Sequence, residues 1–219
     1  MALTILLSGF GPFPGAPSNP TGALVQRLAR LRRPALADVR LVPHVFQTSY
    51  EAVDRELPQL LSQLRPDAVL MFGLATRASS LQVETRARNA VSALVLDAEG
   101  RQAASLCIVP GGPDALRYGV PAARLTIAAR RVGAQAVVSH NAGRYLCNYL
   151  SWRAIEAAAR PAGPSFAAFI HVPKLRQGAV RGGARGARRW RMRDLLRGGE
   201  AILLAAAAET RRRRHLKER

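Results

Sequence analysis

The chain has 219 residues, 48% of them apolar and 21% charged, enough for one globular domain that buries about 70% of its unfolded surface without disulfides or a structural metal. Its two cysteines, Cys107 and Cys147, form no CxxC pair and no metal-ligand cluster, which excludes a secreted disulfide framework and a zinc module and points to a reducing, cytoplasmic setting. Net charge is +19, but all of the 33 basic residues except Lys174 and Lys217 are arginine, and residues 174–219 alone hold 15 basic against 4 acidic side chains with Trp190 as the sole aromatic, so the sequence implies weak, non-specific, salt-sensitive contact with nucleic acid at most.

The apolar run Ala2–Leu7 is short and has no basic residue before it, so it predicts a first strand over Leu3–Ser8 rather than a signal peptide. A Gly/Pro loop follows, and Asn19-Pro20-Thr21 opens a helical pattern through Leu24, Val25, Leu28 and Leu31. Val39–Phe46 predicts a second strand. The next helical segment carries Val53, Leu57, Leu60, Leu61 and Leu64, with a disturbance expected at Pro58. Asp67–Gly73 is a continuous apolar strand of the kind buried on both faces of a parallel sheet. Residues 81–118 are less regular, with short strand-like pieces and two Gly/Pro turns. Pro121 starts a helix that stops near Gly133, Ala136–Ser139 is a strand, Tyr145–Ala159 a helix and Phe166–Val172 a strand.

This alternation predicts a single α/β domain over 1–210, with a mainly parallel twisted central sheet and helices on both faces. Within it, 174–191 reads as a mobile Arg/Gly-rich loop and Asp194–Glu209 as the last helix. Arg211–Arg214 reads as a frayed end, making 211–219 a basic tail. The eight-residue run Ala201–Ala208 is too short to cross a bilayer, so no membrane partner is expected.

In such a sheet ligands gather beyond the carboxyl ends of the strands, and three reactive side chains fall there. Cys147 lies where the loop Asn141-Ala142-Gly143 leads into a helix, so unpaired N–H groups and the helix dipole favour a thiolate. His171 lies near the end of the neighbouring strand. Glu84 is the sole carboxylate between Asp67 and Asp97. A nucleophilic thiol, an imidazole to hold its proton and a carboxylate to steady the imidazolium make a triad. The Gly/Pro loop is not a dinucleotide fingerprint, because Pro14 takes the place of the third glycine and no helix starts there; no Walker A loop is present.

These residues carry a family resemblance. Leu7-Ser8-Gly9-Phe10-Gly11-Pro12-Phe13 with Asn19-Pro20 resembles the opening strand and loop of the pyroglutamyl peptidase I family of cysteine peptidases. Ala142–Asn148 resembles the segment bearing that family's nucleophile, Phe169–Pro173 the segment bearing its histidine, and Glu84 with Ala87 and Asn89 its acidic segment. The four motifs occur in the family's order and span nearly the whole chain. The resemblance implies removal of an N-terminal pyroglutamyl residue from peptides, through a thioester on Cys147 and with no metal or organic cofactor. It also implies a homo-oligomer, often a tetramer. An apolar slot suits the small uncharged lactam ring, with Phe10 and Phe13 standing either as its walls or as ordinary core under the first helix, and Asn19, Leu74, Tyr145 and Leu146 added as substrate-binding residues by likeness. Where the family commonly continues Gly-Gly-Arg, this chain has Thr76-Arg77-Ala78, which predicts a different loop path. Arg86 and Arg88 bring guanidinium groups that can compete with His171 for Glu84. A catalytically silent or altered-specificity relative, acting on another cyclic amide or binding polyanions, is the alternative reading.

Overall fold

A computed structural model describes residues 2–13, 15–175 and 190–217. Eight strands and five helices appear among them, in the order β1 (Leu3–Phe10), α1 (Thr21–Ala29), β2 (Val39–Phe46), α2 (Tyr50–Leu64), β3 (Ala68–Ala75), β4 (Leu81–Glu84), β5 (Arg86–Arg88), β6 (Ala115–Arg117), α3 (Ala122–Arg131), β7 (Ala136–Ser139), α4 (Leu146–Ala158), β8 (Phe166–Pro173) and α5 (Met192–Lys217). Six strands form one sheet in the order β2-β1-β3-β8-β4-β7, and β5 and β6 form a small antiparallel ribbon. All neighbours in the main sheet are parallel except β8 and β4.

The central strands β1, β3 and β8 are apolar along almost their whole length because both faces of the sheet are covered. Helices α2 and α4 pack together on one face, with α4 over β3 and β8; α1, α3 and α5 pack together on the other, with α5 across β1 and β3. The α/β class, the parallel core and the helices on both faces are as the sequence pattern predicts.

Strand order reverses between β1 and β3, since the chain leaves β1 for β2 on one side and returns to β3 on the other. The ladder between them ends at Ser8 and Met71. Beyond it β1 follows β2 as far as Phe10 and Phe46, while β3 follows β8 as far as Ala75 and Pro173. The sheet therefore opens between β1 and β3 at its carboxyl edge, a topological switch point where open α/β sheets take ligands.

Two expectations need correction. Helix α2 runs through Pro58 without a break. Pro58 removes one hydrogen bond to the carbonyl of Asp54, but both residues are exposed, so water replaces the missing donor while Ala52, Val53 and Leu57 anchor the buried face. The last helix does not fray at Arg211 but continues to Lys217. Glu209 accepts hydrogen bonds from Arg212 and Arg213, and Arg213 also reaches Ser165 O and Gly119 O, so the basic cluster is bonded into the fold instead of forming a separate tail. The polyanion reading loses its aromatic. Trp190 is buried, with Nε1 donating to Ser79 O, and offers no ring for stacking. The expected mobile loop over 174–191 falls mostly outside the described residues.

Candidate active site

Pairing between β8 and β4 sets the first contact. Gln82 lies opposite His171, so Glu84, two residues further along β4, is its diagonal neighbour on the same face of the sheet. The His171 Nδ1–H donates to Glu84 Oε1 at 2.8 Å, with both side chains almost completely buried. That bond fixes the tautomer and leaves Nε2 as the nitrogen free to meet a third group.

Cys147 supplies that group from the first turn of α4. Three local features place it. Asn141 Oδ1 accepts from Gly143 N–H, and Gly143 has φ 79°, a left-handed turn that suits glycine and feeds the chain into the helix. Asn148, fully buried, accepts from Arg88 N–H and donates to Arg88 O and Ala90 O, tying the helix head to β5. The N-cap residue, Tyr145, makes no side-chain cap bond, which leaves first-turn N–H groups around Cys147 for a ligand.

Gly73 provides the space. It lies opposite His171 on β3, and a Cβ there would sit 2.7 Å from Cys147 Sγ and 2.5 Å from Phe169 Cζ. The sulfur occupies the volume that any side chain at this position would fill, at the edge of the imidazole. Among these neighbours the histidine's pKa rises from 6.5 to about 9. Burial is the largest single influence and works downward, but the charge and hydrogen bond of Cys147, with the hydrogen bond and charge of Glu84, outweigh it. The three side chains thus form one coupled unit at the carboxyl edge of the sheet.

The expected substrate residues separate into two groups. Phe13 and Tyr145 are half-buried with ring centroids 6.0 Å apart, and Tyr145 meets Tyr50 edge-on at 6.2 Å, so a row of aromatic rings flanks the head of α4. The Tyr145 hydroxyl donates to Leu96 O, securing the neighbouring loop. Phe10 and Leu146, by contrast, are core residues, Phe10 with its ring against Phe46. Asn19 holds the loop with its amide, donating to Gly11 O and accepting from Thr21 N–H and Oγ1–H. Leu74 follows Gly73 in a regular strand, and the pleat turns its side chain to the opposite face of the sheet from His171.

The two departures from the family pattern have local solutions. Thr76-Arg77-Ala78 forms a tight turn closed by Ala78 N–H on Ala75 O, and none of its residues has positive φ, so the turn needs no glycine. Arg86 does not compete for Glu84: its Nε donates to His140 O. Among the described residues Glu84 makes its ion pair with His171 alone.

Sequence reasoning missed Gly73 and Asn148 as parts of the site. The signal for Asn148 was its place beside Cys147 in a first helical turn; that for Gly73 was its place at the end of an apolar strand, opening the Gly73-Leu74-Ala75 stretch that matches the family pattern.

Comparison with known proteins places these observations in a family. The family model described as pyroglutamyl peptidase matches residues 3–208. The pyrrolidone-carboxylate peptidase of Pyrococcus furiosus is 30% identical over 173 residues, covering 79% of this chain and 82% of the relative. Pyrrolidone-carboxylate peptidase 1 of Ralstonia nicotianae is 35% identical over 174 residues, 78% of this chain and 79% of the relative. The solved structure of the pyrrolidone carboxyl peptidase from Thermococcus litoralis superposes with a TM-score of 0.85 at 26% identity, covering 96% of each chain.

Proposed function

Because this chain belongs to the pyroglutamyl peptidase family, we propose that it is a cysteine peptidase that removes an N-terminal pyroglutamyl residue from peptides, with Cys147, His171 and Glu84 as its catalytic residues. One observation carries this reading: His171 holds Glu84 on Nδ1 and feels Cys147 as both charge and hydrogen-bonding partner.

The chemistry follows from that line. With a pKa near 9, the His171 imidazole stays protonated at neutral pH, next to the Cys147 sulfur that acts as nucleophile in its thiolate form. The thiolate attacks the carbonyl linking the lactam ring to the next residue, and the resulting oxyanion is stabilised by first-turn N–H groups of α4. His171 gives its proton to the departing amine as the C–N bond breaks, leaving a thioester on Cys147. The neutral imidazole then takes a proton from water, whose oxygen adds to the thioester; the C–S bond breaks, 5-oxoproline leaves, and the thiolate–imidazolium pair is restored. Glu84 keeps the ring oriented and steadies its positive form. Phe13 and Tyr145 are the residues that present aromatic surface to the lactam ring. A cytoplasmic location belongs to the same proposal, supported by the two free thiols, Cys107 and Cys147. Among the described residues no helix is long and apolar enough to cross a membrane.

The test is release of a fluorophore from a pyroglutamyl amide by wild type and by Cys147→Ala. Loss of a nucleophile from a coupled triad lowers kcat by about 10⁶ in a well-studied serine case, and a loss of several powers of ten is expected here. Equal rates in the two proteins would remove the mechanism.

A further inference from the structure

Behind the His171–Glu84 pair lies a buried group that the mechanism above does not use. Tyr118 follows β6, and its backbone N–H donates to Thr85 O at 3.1 Å, which seats it beside the strand end that bears Glu84. Its side chain is buried between that strand end and α4, with the hydroxyl against Ser151 and within reach of the charges of Glu84 and Cys147. Burial, the largest influence, pushes the phenol well above its ordinary pKa, so the hydroxyl remains a donor across the working pH range. Ser151, fully buried, follows Cys147 by one turn of α4 and shares its sheet-facing side.

Three polar atoms here are sealed from solvent and make no well-formed hydrogen bond to protein: Glu84 Oε2, Tyr118 Oη and Ser151 Oγ. Such atoms rarely stay unsatisfied, and a cluster of them is what a buried water joins. One arrangement serves all three atoms. Ser151 O–H donates to Tyr118 Oη, Tyr118 O–H to a water, and the water to the carboxylate oxygen that His171 leaves free.

We propose that Tyr118, backed by Ser151, is a positioning residue for the reaction, its hydroxyl ending through one buried water on Glu84 Oε2 so that the carboxylate keeps Oε1 on His171. This rests on the thiol mechanism proposed above. Among the described residues the charged partner of Glu84 is His171. Helix α4 presents Cys147 and Ser151, β8 presents His171, the segment after β6 presents Tyr118, and β3 presents Gly73. Arg86 of β5 is spent on His140 O, and His140, after β7, is exposed and bonded to Thr85 Oγ1.

Tyr118→Phe keeps the ring and removes the donor; Ser151→Ala removes its support. Two readouts are taken on the full chain. The first is the pH dependence of Cys147 alkylation by iodoacetamide, followed on the Cys147 peptide by mass spectrometry. The second is the pH profile of kcat/KM on a pyroglutamyl amide. Losing a hydrogen bond to a charged group moves an ionisation by about one to two pH units, so the acid limb of both profiles is expected to rise by that much in Tyr118→Phe and by less in Ser151→Ala. At neutral pH kcat should fall about tenfold or more with KM nearly unchanged. An alkylation limb that stays in place in both variants overturns the proposal, even where turnover falls, because a merely structural role lowers activity without moving that ionisation. If Tyr118→Phe does not fold, Ser151→Ala decides. Alkylation needs no substrate, so a wild type that fails to cleave the pyroglutamyl amide counts against the function above and leaves this test intact.

Discussion

Gly73→Ala perturbs the site without touching any polar group. Gly73 does not have a positive φ, so alanine fits its strand backbone without strain and the whole effect comes from one methyl group. That methyl carbon would lie 2.7 Å from Cys147 Sγ and 2.5 and 2.8 Å from Phe169 Cζ and Cε1. Ordinary heavy-atom contact is about 3.5–4.0 Å, so sulfur and ring must each retreat by about 1 Å. The Phe169 and His171 rings are 4.9 Å apart at their centroids, so the displaced phenyl presses on the imidazole as well. A misplacement of about 1 Å costs about 10²-fold in rate, and overpacking about 1–3 kcal/mol of stability, or about 2–12 °C in Tm for a domain of this size. Hydrolysis of a pyroglutamyl coumarin amide measures the first and a circular dichroism melt the second. Wild-type kcat/KM together with an unshifted Tm would refute the placement of the sulfur against β3.

Three further outcomes follow from the same geometry. Glu84→Gln replaces the charged acceptor that helps hold the His171 pKa at about 9 with a neutral amide, so the basic limb of kcat/KM should move toward neutral pH and the rate fall by about 10²–10⁴; an unmoved limb would detach Glu84 from the imidazole. Asn148→Ala leaves one N–H and two carbonyls of the 88–90 segment without partners and should cost about 2–4 kcal/mol in urea unfolding, a prediction that fails if the midpoint is unchanged. Glu209 has its pKa lowered from 4.5 to about 2, chiefly by the hydrogen bond from Arg212 and then by Arg213, against the opposing effect of burial. A carboxylate whose folded pKa is depressed stabilises the fold above its unfolded pKa and loses that contribution as pH falls through the folded one. Its arginine partners are 21–61% exposed, so screening limits the worth of Glu209 to about 1–2 kcal/mol. Glu209→Gln should therefore melt lower than wild type at pH 7, with the gap closing between about pH 4.5 and 2; a constant gap would contradict the assignment.

Local chemistry made the elements legible. Continuous apolar runs at β1, β3 and β8 mark strands covered on both faces, and heptad-like spacing with Pro or Gly at the ends marks the helices, because both signals depend on neighbours in the chain. Ion pairs that join distant segments escaped the same reading. The end of α5 looks like a solvated run of arginines until Asp38, Ser165 and Gly119 are brought to it.

The site divides the same way. Residue chemistry and family resemblance singled out Cys147, His171 and Glu84, since few other side chains on strand-end loops can serve as nucleophile, base and orienter. Only the folded sheet decided that Gln82 faces His171, which swings Glu84 onto Nδ1, and that Gly73 yields its volume to the sulfur. Phe10, Leu74 and Leu146 resemble slot residues by likeness; the fold buries Phe10 and Leu146 and turns Leu74 to the face opposite His171, a placement that depends on which surfaces meet them. Reactive groups can be named from the chain alone; their distances, the pKa those distances impose, and the empty volume that admits a sulfur atom arise only when strands remote in sequence come into register.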